Sequence, residues 1–436
     1  MAKYILIIAS LLGLLLAFGC SDRTVESEPV VVEEGGVSPG PHVFTNELIM
    51  QLGNTSQLLD YQIYIPAVTM DYQHGGEEQK VPWVIWLAPE GEDSYFFMNH
   101  GLNELADELI AEGVIEPMAI VCIPNEFKTI GSYFYGGHGF AWDAGTQDYL
   151  GYSYPAGYHD VLIGDSLVKR FEDVLATWFI TGDQTQRGIG GLGTGAYGAY
   201  RAALKHPGVF GSIAGADGPM DFDGPDGNGG LIRLMDSVFV ENPNLTSDET
   251  LRTGIDSSRT YPIARLLMGG SMAFSPHDTL LNWSIRIVSG SQVLQIDTTT
   301  RGKPGYCITD STSLIEHIVL ASSSNLDFHL PFTYSQRPYT PIWGKLWMSQ
   351  NLDTLLAAST LEGVDCWIGS GTEFGRTYRE QTMSWASTLE DAGLNPTVFE
   401  YTGYEGLSGD NFRYTYELMR QMLIFHNNSF QRERHE

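Results

Sequence analysis

A glycine-dense segment that runs directly into an alanine-rich one is the feature that most limits the fold of this chain. Residues 188–193 read Gly-Ile-Gly-Gly-Leu-Gly, and residues 194–205 read Thr-Gly-Ala-Tyr-Gly-Ala-Tyr-Arg-Ala-Ala-Leu-Lys. The first stretch suits a short buried strand and a tight turn, because glycine adopts turn conformations that other residues avoid. The alanines of the second favour a helix. The segment therefore predicts a strand, a sharp turn and a helix in succession.

The rest of the chain alternates in the same way. Apolar runs at 81–87 and 118–123 are typical of buried strands, and residues 101–112 and 165–179 carry apolar side chains at helical spacing. Alternating strands and helices are the pattern of a mainly parallel sheet flanked by helices. We therefore expect the α/β class.

The N-terminus has the features of an export signal. Lys3 precedes an almost unbroken apolar run from Tyr4 to Phe18, and Gly19 and Cys20 follow. Residues 16–20 resemble a bacterial lipobox, in which the cysteine is lipidated after cleavage. The alternative is an ordinary secretory signal in which Cys20 has no role.

The lipobox predicts where the chain resides. Residues 1–20 are then the signal with its lipidated cysteine, residues 21–44 a flexible tether, and the membrane a partner through the N-terminal lipid. The expected location is the bacterial cell envelope, on the periplasmic face or the cell surface.

The composition of the chain argues against several classes of partner and cofactor. The 24 Lys and Arg against 53 Asp and Glu give a formal net charge of −29, which would repel phosphate backbones, so nucleic acid is excluded as a partner. No C-x-x-C spacing is present, so neither a disulfide framework nor a zinc site is indicated, and we expect no cofactor. Cys122 and Cys366 lie in apolar runs, and we expect both to be buried.

The glycine-dense turn also carries the main chemical hypothesis. A G-x-S-x-G pattern between a strand and a helix forms a nucleophile elbow, which exposes a strained serine above the sheet. Here Gly191 and Gly195 supply the outer glycines, Thr194 follows the centre, and Gly193 stands at the centre without a side chain. A phosphate-binding loop is the competing interpretation, but the Lys-Ser/Thr pair of a Walker motif is absent.

Several stretches match a known family in order. They are Val84–Leu87, Leu109–Met118, Gly131–Tyr135, Ala202–Phe210, Gly218–Phe222, Leu389–Gly393 and Val398–Gly403. With the elbow-like turn, they resemble the esterase family of α/β-hydrolases, which includes esterase D-like enzymes, enterochelin and feruloyl esterases and mycolyltransferases. The resemblance implies one α/β-hydrolase domain over residues 45–430, with a cap-like insertion at about 231–341.

The same resemblance implies a Ser-His-Asp triad, and this chain departs from it. Gly193 stands at the nucleophile position, and Pro89 and Glu90 stand where the family continues into its His-Gly oxyanion loop. The acid position falls at Thr372, with Glu373 as a one-residue-shifted replacement. The segment 404–411, where the family carries its histidine, contains none.

Other candidate residues have two interpretations each. His277, within the cap-like insertion, is the best remaining candidate base, although a structural role is favoured. Tyr133 and Tyr135 could stack on a sugar or aromatic ligand, or simply pack in the core. The acidic run from Asp217 to Asp226 offers oxygen ligands for Ca²⁺, but its spacing matches no EF-hand, and a solvated loop is favoured.

Two functional hypotheses follow. In the first, the chain is a non-catalytic pseudoesterase whose pocket binds a small molecule, a glycan or a partner. In the second, it is an active carboxylic-ester hydrolase that uses a displaced set, such as a serine of the insertion with His277 and Glu373.

Overall fold

The computed structural model describes a large part of the chain after the N-terminal region. Side chains are described over residues 61–67, 80–90, 92–125, 182–223, 347–372, 378–402 and 414–432, with short additional stretches near 168–173 and 230–231 and at single positions 266, 270 and 274. Several further strands and helix ends are described by their backbone alone. All of these residues belong to one compact unit, Gly40–Glu436, and the predicted bounds of the signal, tether and insertion stay predictions.

Twelve strands and seven α-helices are described. The strands are β1 (His42–Leu52), β2 (Thr55–Ile65), β3 (Trp83–Leu87), β4 (Ala119–Ile123), β5 (Trp142–Asp143), β6 (Asp148–Tyr149), β7 (Arg187–Leu192), β8 (Ser212–Ala216), β9 (Asn282–Val288), β10 (Ser291–Asp297), β11 (Asp365–Gly371) and β12 (Thr397–Tyr401). The helices are α1 (Phe96–Asn99), α2 (Leu102–Ala111), α3 (Leu167–Leu175), α4 (Thr194–Lys205), α5 (Leu352–Ala357), α6 (Arg376–Asp391) and α7 (Thr415–His435).

Eight strands form one sheet in the order β1-β2-β4-β3-β7-β8-β11-β12. The strands β1, β2 and β4 pair antiparallel, and all pairs from β4 to β12 are parallel. The predicted α/β class with a mainly parallel sheet is confirmed. Within the predicted insertion, β9 and β10 form a separate antiparallel pair.

Both faces of the central strands β3, β4, β7 and β8 are buried, which explains why the strands predicted from apolar runs are uninterrupted. Along β3, Trp83, Ile85 and Leu87 join one hydrophobic cluster, and Val84 and Trp86 join the other. Helices α4 and α6 contribute to the first cluster, and α2 and α7 to the second. This two-residue alternation is what a strand between two helical layers requires.

Glycines in β7 let α7 lie close against the sheet. A Cβ on Gly188 would come within 2.6 Å of the Nδ1 atom of His426 and 2.8 Å of Val84. A Cβ on Gly190 would lie 2.7 Å from Met422. The glycines that predicted a tight turn therefore also provide space for packing.

The two cysteines behave as predicted. Cys122 and Cys366 are buried and form no disulfide. Burial raises the pKa of the Cys122 thiol, and burial with the nearby Asp365 raises the pKa of Cys366 to about 12. Both thiols are therefore unreactive at neutral pH.

Within the described part of the chain, no helix combines the length and the apolar character needed to cross a bilayer.

Candidate active site

The register of the sheet brings four strand ends together. Leu87 of β3 pairs with Gly191 of β7, and Leu192 pairs with Ala216 of β8, which in turn pairs with Gly369 of β11. The segments that follow these strands therefore leave the sheet at one edge. In open α/β sheets, ligands bind outside the carboxyl ends of the strands, so this edge is where the candidate site lies.

Gly193 makes the turn between β7 and α4. Its backbone has φ +57° and ψ −129°, a combination that residues with a side chain rarely adopt. Its amide donates to the carbonyl of Ala216 at 3.0 Å, and its carbonyl accepts from the amide of Ala196 at 3.1 Å. The predicted strand, sharp turn and helix are thus present, with Gly193 at the strained position of the elbow.

The outer glycines of the elbow are required by a close backbone approach. A Cβ on Gly195 would overlap the carbonyl oxygen of Leu87 and lie 2.7 Å from that of Ala88. A Cβ on Gly191 would lie 2.5 Å from the carbonyl of Gly195 and 2.7 Å from the oxygen of Leu87. Because the neighbouring atoms belong to the backbone, no rotamer change could relieve either contact.

Glu90 fills the space in front of the elbow. Its Oε2 atom accepts a hydrogen bond from the backbone N–H of Thr194 at 3.0 Å. A Cβ placed on Gly193 would overlap that same oxygen and would lie 3.1 Å from Cβ of Pro89. The carboxylate of Glu90 and a side chain at position 193 therefore compete for one volume.

The contact between Glu90 and Thr194 also caps α4. The helix begins after Gly193, which has no side chain to cap it, and its first turn contains no acidic residue. The four leading amides of a helix lack internal partners and carry partial positive charge, so an anion there typically contributes about 0.3–1 kcal/mol. Glu90, 104 positions away along the chain, provides that anion.

The hydroxyl of Thr194 is engaged away from the elbow. The amide nitrogen Nδ2 of Asn125 donates to it at 2.8 Å and also to the carbonyl of Ala88 at 3.2 Å. Thr194 and Asn125 are both fully buried. Thr194 is thereby held in a structural bridge between the ends of β3, β4 and β7.

Asp217, directly after β8, is buried and backbone-strained. It has φ +48° and is the one described non-glycine residue with a positive φ. Its carboxylate accepts from the amide of Gly371 at 2.9 Å and from the hydroxyl of Tyr401. The expectation of a solvated acidic loop is wrong for Asp217, because these donors hold its carboxylate between β8, β11 and β12.

Asp221 is likewise held by neighbouring elements. Ser384 of α6 donates to its Oδ2 atom at 2.7 Å, and Asn351 donates to its Oδ1 atom at 3.4 Å. The last aspartate of the acidic run, Asp226, lies outside the described residues. Among the residues that the structure describes, no group of three or more His, Cys, Asp or Glu side chains is arranged to hold a metal ion.

Tyr378 of α6 belongs to the same neighbourhood and was not anticipated from the sequence. Burial raises the pKa of its hydroxyl well above the ordinary value, and the nearby carboxylates of Glu90 and Asp217 raise it further. The hydroxyl makes no hydrogen bond of good geometry within the described part of the chain. No local pattern identifies this residue, because only the packing of α6 on the sheet brings it near Glu90.

The remaining sequence candidates divide between described and undescribed positions. Thr372 follows β11, is exposed, and uses its hydroxyl and amide to donate to the carbonyl of Tyr401 at 3.1 and 2.9 Å. Positions outside the described residues are Cys20, Tyr133, Tyr135, His277 and Glu373. The described site therefore brings together Pro89, Glu90, Gly193 and Thr194.

Comparisons with known proteins agree with this topology. Residues 59–226 match the family model described as "Putative esterase". Solved structures with a similar fold include a ferulic acid esterase, with 12% identity and a TM-score of 0.49 over 90% of this chain and 100% of that one. An S-formylglutathione hydrolase from Staphylococcus aureus has 9% identity and a TM-score of 0.45 over 90% of this chain and 100% of that one.

The enterobactin esterase of Shigella flexneri has 10% identity and a TM-score of 0.42, over 90% of this chain and 62% of that one. None of the curated proteins matches the sequence. On the family match and the strand order, the chain has an α/β-hydrolase fold, and its residues 59–226 resemble the esterase family.

Proposed function

We propose that this chain is a pseudoesterase, a binding protein that keeps the esterase fold without its acyl-transfer chemistry. The observation that carries the proposal is Gly193 at the strained position of the elbow, with the Glu90 carboxylate in the volume that a nucleophile would need. Covalent catalysis of ester hydrolysis needs an oxygen or sulfur nucleophile there. Glycine supplies none, and the adjacent Thr194 hydroxyl is engaged with Asn125.

The electrostatics of the elbow support the same conclusion. An ester hydrolase needs free hydrogen-bond donors where negative charge develops on the substrate oxygen. Here the N–H of Thr194, the residue after the elbow centre, already donates to Glu90. Pro89 has no N–H to offer from the neighbouring loop. A developing oxyanion would meet a carboxylate instead of a donor.

The negative charge at the elbow suits a different class of ligand from an ester. Glu90 presents acceptor oxygens at the carboxyl edge of the sheet, so the site favours a ligand that brings donors, such as the hydroxyl groups of a glycan or a small cation. No ion pair with Glu90 exists among the described residues, so its charge is met there by the Thr194 amide and not by a cationic side chain. We further propose that Cys20 is lipidated and that the chain acts in the bacterial cell envelope, because residues 16–20 resemble a lipobox.

The proposal is tested by labelling the purified protein with a fluorophosphonate probe and measuring hydrolysis of p-nitrophenyl acetate. We expect no labelled serine and no hydrolysis above that of heat-denatured protein. The alternative of an active hydrolase with a displaced triad requires the opposite result. Labelling of one serine at equal stoichiometry, abolished together with hydrolysis when that serine is replaced by alanine, would refute the pseudoesterase proposal.

A further inference from the structure

We infer that the carboxylate of Glu90 is a built-in ligand of the elbow, held in an anion site that this chain fills with its own side chain. The inference rests on the proposed absence of a nucleophile at Gly193, and it adds what occupies the vacated volume. Two observations about one atom, Glu90 Oε2, carry it. One is the hydrogen bond from the Thr194 amide, and the other is the overlap between Glu90 Oε2 and any Cβ at position 193.

The chemistry of the site explains why a carboxylate fits there. At the N terminus of α4 the amides of Ala196 and Tyr197 donate to the carbonyl of Gly193, and the amide of Thr194 donates to Glu90, because Gly193 has no side chain that could accept it. Backbone amides at a helix N terminus bind carboxylates and phosphates. Glu90 reaches this position because β3 and β7 are hydrogen-bonded neighbours whose last residues are in register.

The inference predicts that a small carboxylate can replace the side chain. In Glu90→Ala, the amide of Thr194 loses its acceptor and the volume in front of Gly193 is vacated. Sodium formate should then bind there, and it should stabilise the folded protein by mass action. The native protein should gain nothing, because its site is already occupied.

The experiment measures the thermal midpoint, Tm, of four proteins in sodium formate and in sodium chloride at equal ionic strength. Glu90→Ala should have a Tm about 1–2 °C below that of the native protein in chloride and should recover most of it in formate. Glu90→Gln keeps an acceptor oxygen in place, so formate should have no effect. Glu112→Ala removes an exposed carboxylate of α2's C-terminal end and is the matched control for general salt effects.

Two outcomes would overturn the inference. One is a formate effect of equal size in all four proteins, which would report only a general effect of the anion on stability. The other is a Glu90→Ala protein that responds no differently to formate and chloride. If Glu90→Ala does not stay folded in chloride, the yield of refolded protein in each salt is compared, and equal yields count against the inference.

A double-mutant comparison tests whether the Glu90 carboxylate occupies the volume in front of Gly193. Gly193→Ala introduces a strained φ in any background, but only the native background holds a carboxylate where the new methyl group must go. The drop in Tm caused by Gly193→Ala should therefore be smaller in the Glu90→Ala background than in the native one. Equal drops would show that Glu90 does not occupy the volume. The pseudoesterase proposal is tested separately, because serine labelling of the native protein does not depend on formate or on position 90.

Discussion

The buried imidazole of His426 predicts how the stability of the domain depends on pH. His426 lies on α7, is fully buried, and has its Nδ1 atom 2.8 Å from the hydroxyl oxygen of Ser212. Its Nε2 atom has no partner among the described residues. Burial lowers the pKa of this imidazole from 6.5 to about 3. A proton added to the folded protein would therefore put an uncompensated charge inside the core.

The sign of the effect follows from proton binding in the two states. Between about pH 6.5 and pH 3, the unfolded chain carries a protonated histidine and the folded chain a neutral one. His426 therefore leaves the free energy of unfolding unchanged above pH 6.5 and lowers it progressively as the pH falls below that value. From about pH 8 to about pH 5 the free energy of unfolding should decrease by about 2 kcal/mol through this group alone.

The assay is urea unfolding of the native protein and of His426→Gln at both pH values. Other titrating groups are the same in both proteins, so the difference between their two pH dependences isolates position 426. The native protein should lose about 2 kcal/mol more than the variant on acidification. An identical pH dependence would refute the reasoning, because it would mean that His426 is protonated equally easily in the folded and unfolded chain.

Three further tests, which use five substitutions, measure by thermal and urea unfolding how the site is supported. Gly195→Ala should destabilise the domain by about 3 kcal/mol or more, because its methyl group would overlap the backbone at the end of β3. Gly182→Ala is the control: its Cβ would lie 3.7 Å from the nearest atom, so its stability should stay within about 0.5 kcal/mol of the native value. Tyr200→Phe should lose about 1 kcal/mol with its 2.9 Å hydrogen bond to β11, and Tyr378→Phe should lose less, because that hydroxyl makes no such bond. Asp217→Ala should lose about 2–5 kcal/mol, because two buried donors would be left without an acceptor; a loss below that of Tyr200→Phe would contradict this.

Local patterns predicted most of the fold. The helix expected over 101–112 is α2, Leu102–Ala111, and it ends before Gly113, whose φ is +69°. The strand expected over 118–123 is β4, Ala119–Ile123. These elements are predictable because apolar periodicity and terminating glycines are local properties of the chain.

Part of the site was predictable and part was not. The glycine spacing predicted the elbow. At each outer glycine a neighbouring backbone segment lies so close that a Cβ would overlap it. The positions of Glu90, Asp217 and Tyr378 depend on which strands are neighbours and on how α6 packs over them. Contacts between residues more than 100 positions apart leave no periodic signal in the sequence. The sequence therefore predicted Asp217 only as one more residue of a solvated acidic loop.

Gly193 and Glu90 are best understood as one coupled feature rather than as two separate losses. A serine at position 193 would have to place its Cβ where the carboxylate of Glu90 lies, and its reaction would need the Thr194 amide that Glu90 now occupies. Conversely, with glycine at 193 and no anion in front of it, the Thr194 amide at the start of α4 would lose its acceptor. Gly193→Ser alone should therefore not create an esterase, because the Glu90 side chain must move aside for the new Cβ and still leaves a carboxylate beside the oxyanion position. Restoring the acyl-transfer geometry would require replacing Glu90 in the same variant before any base could act on the new serine.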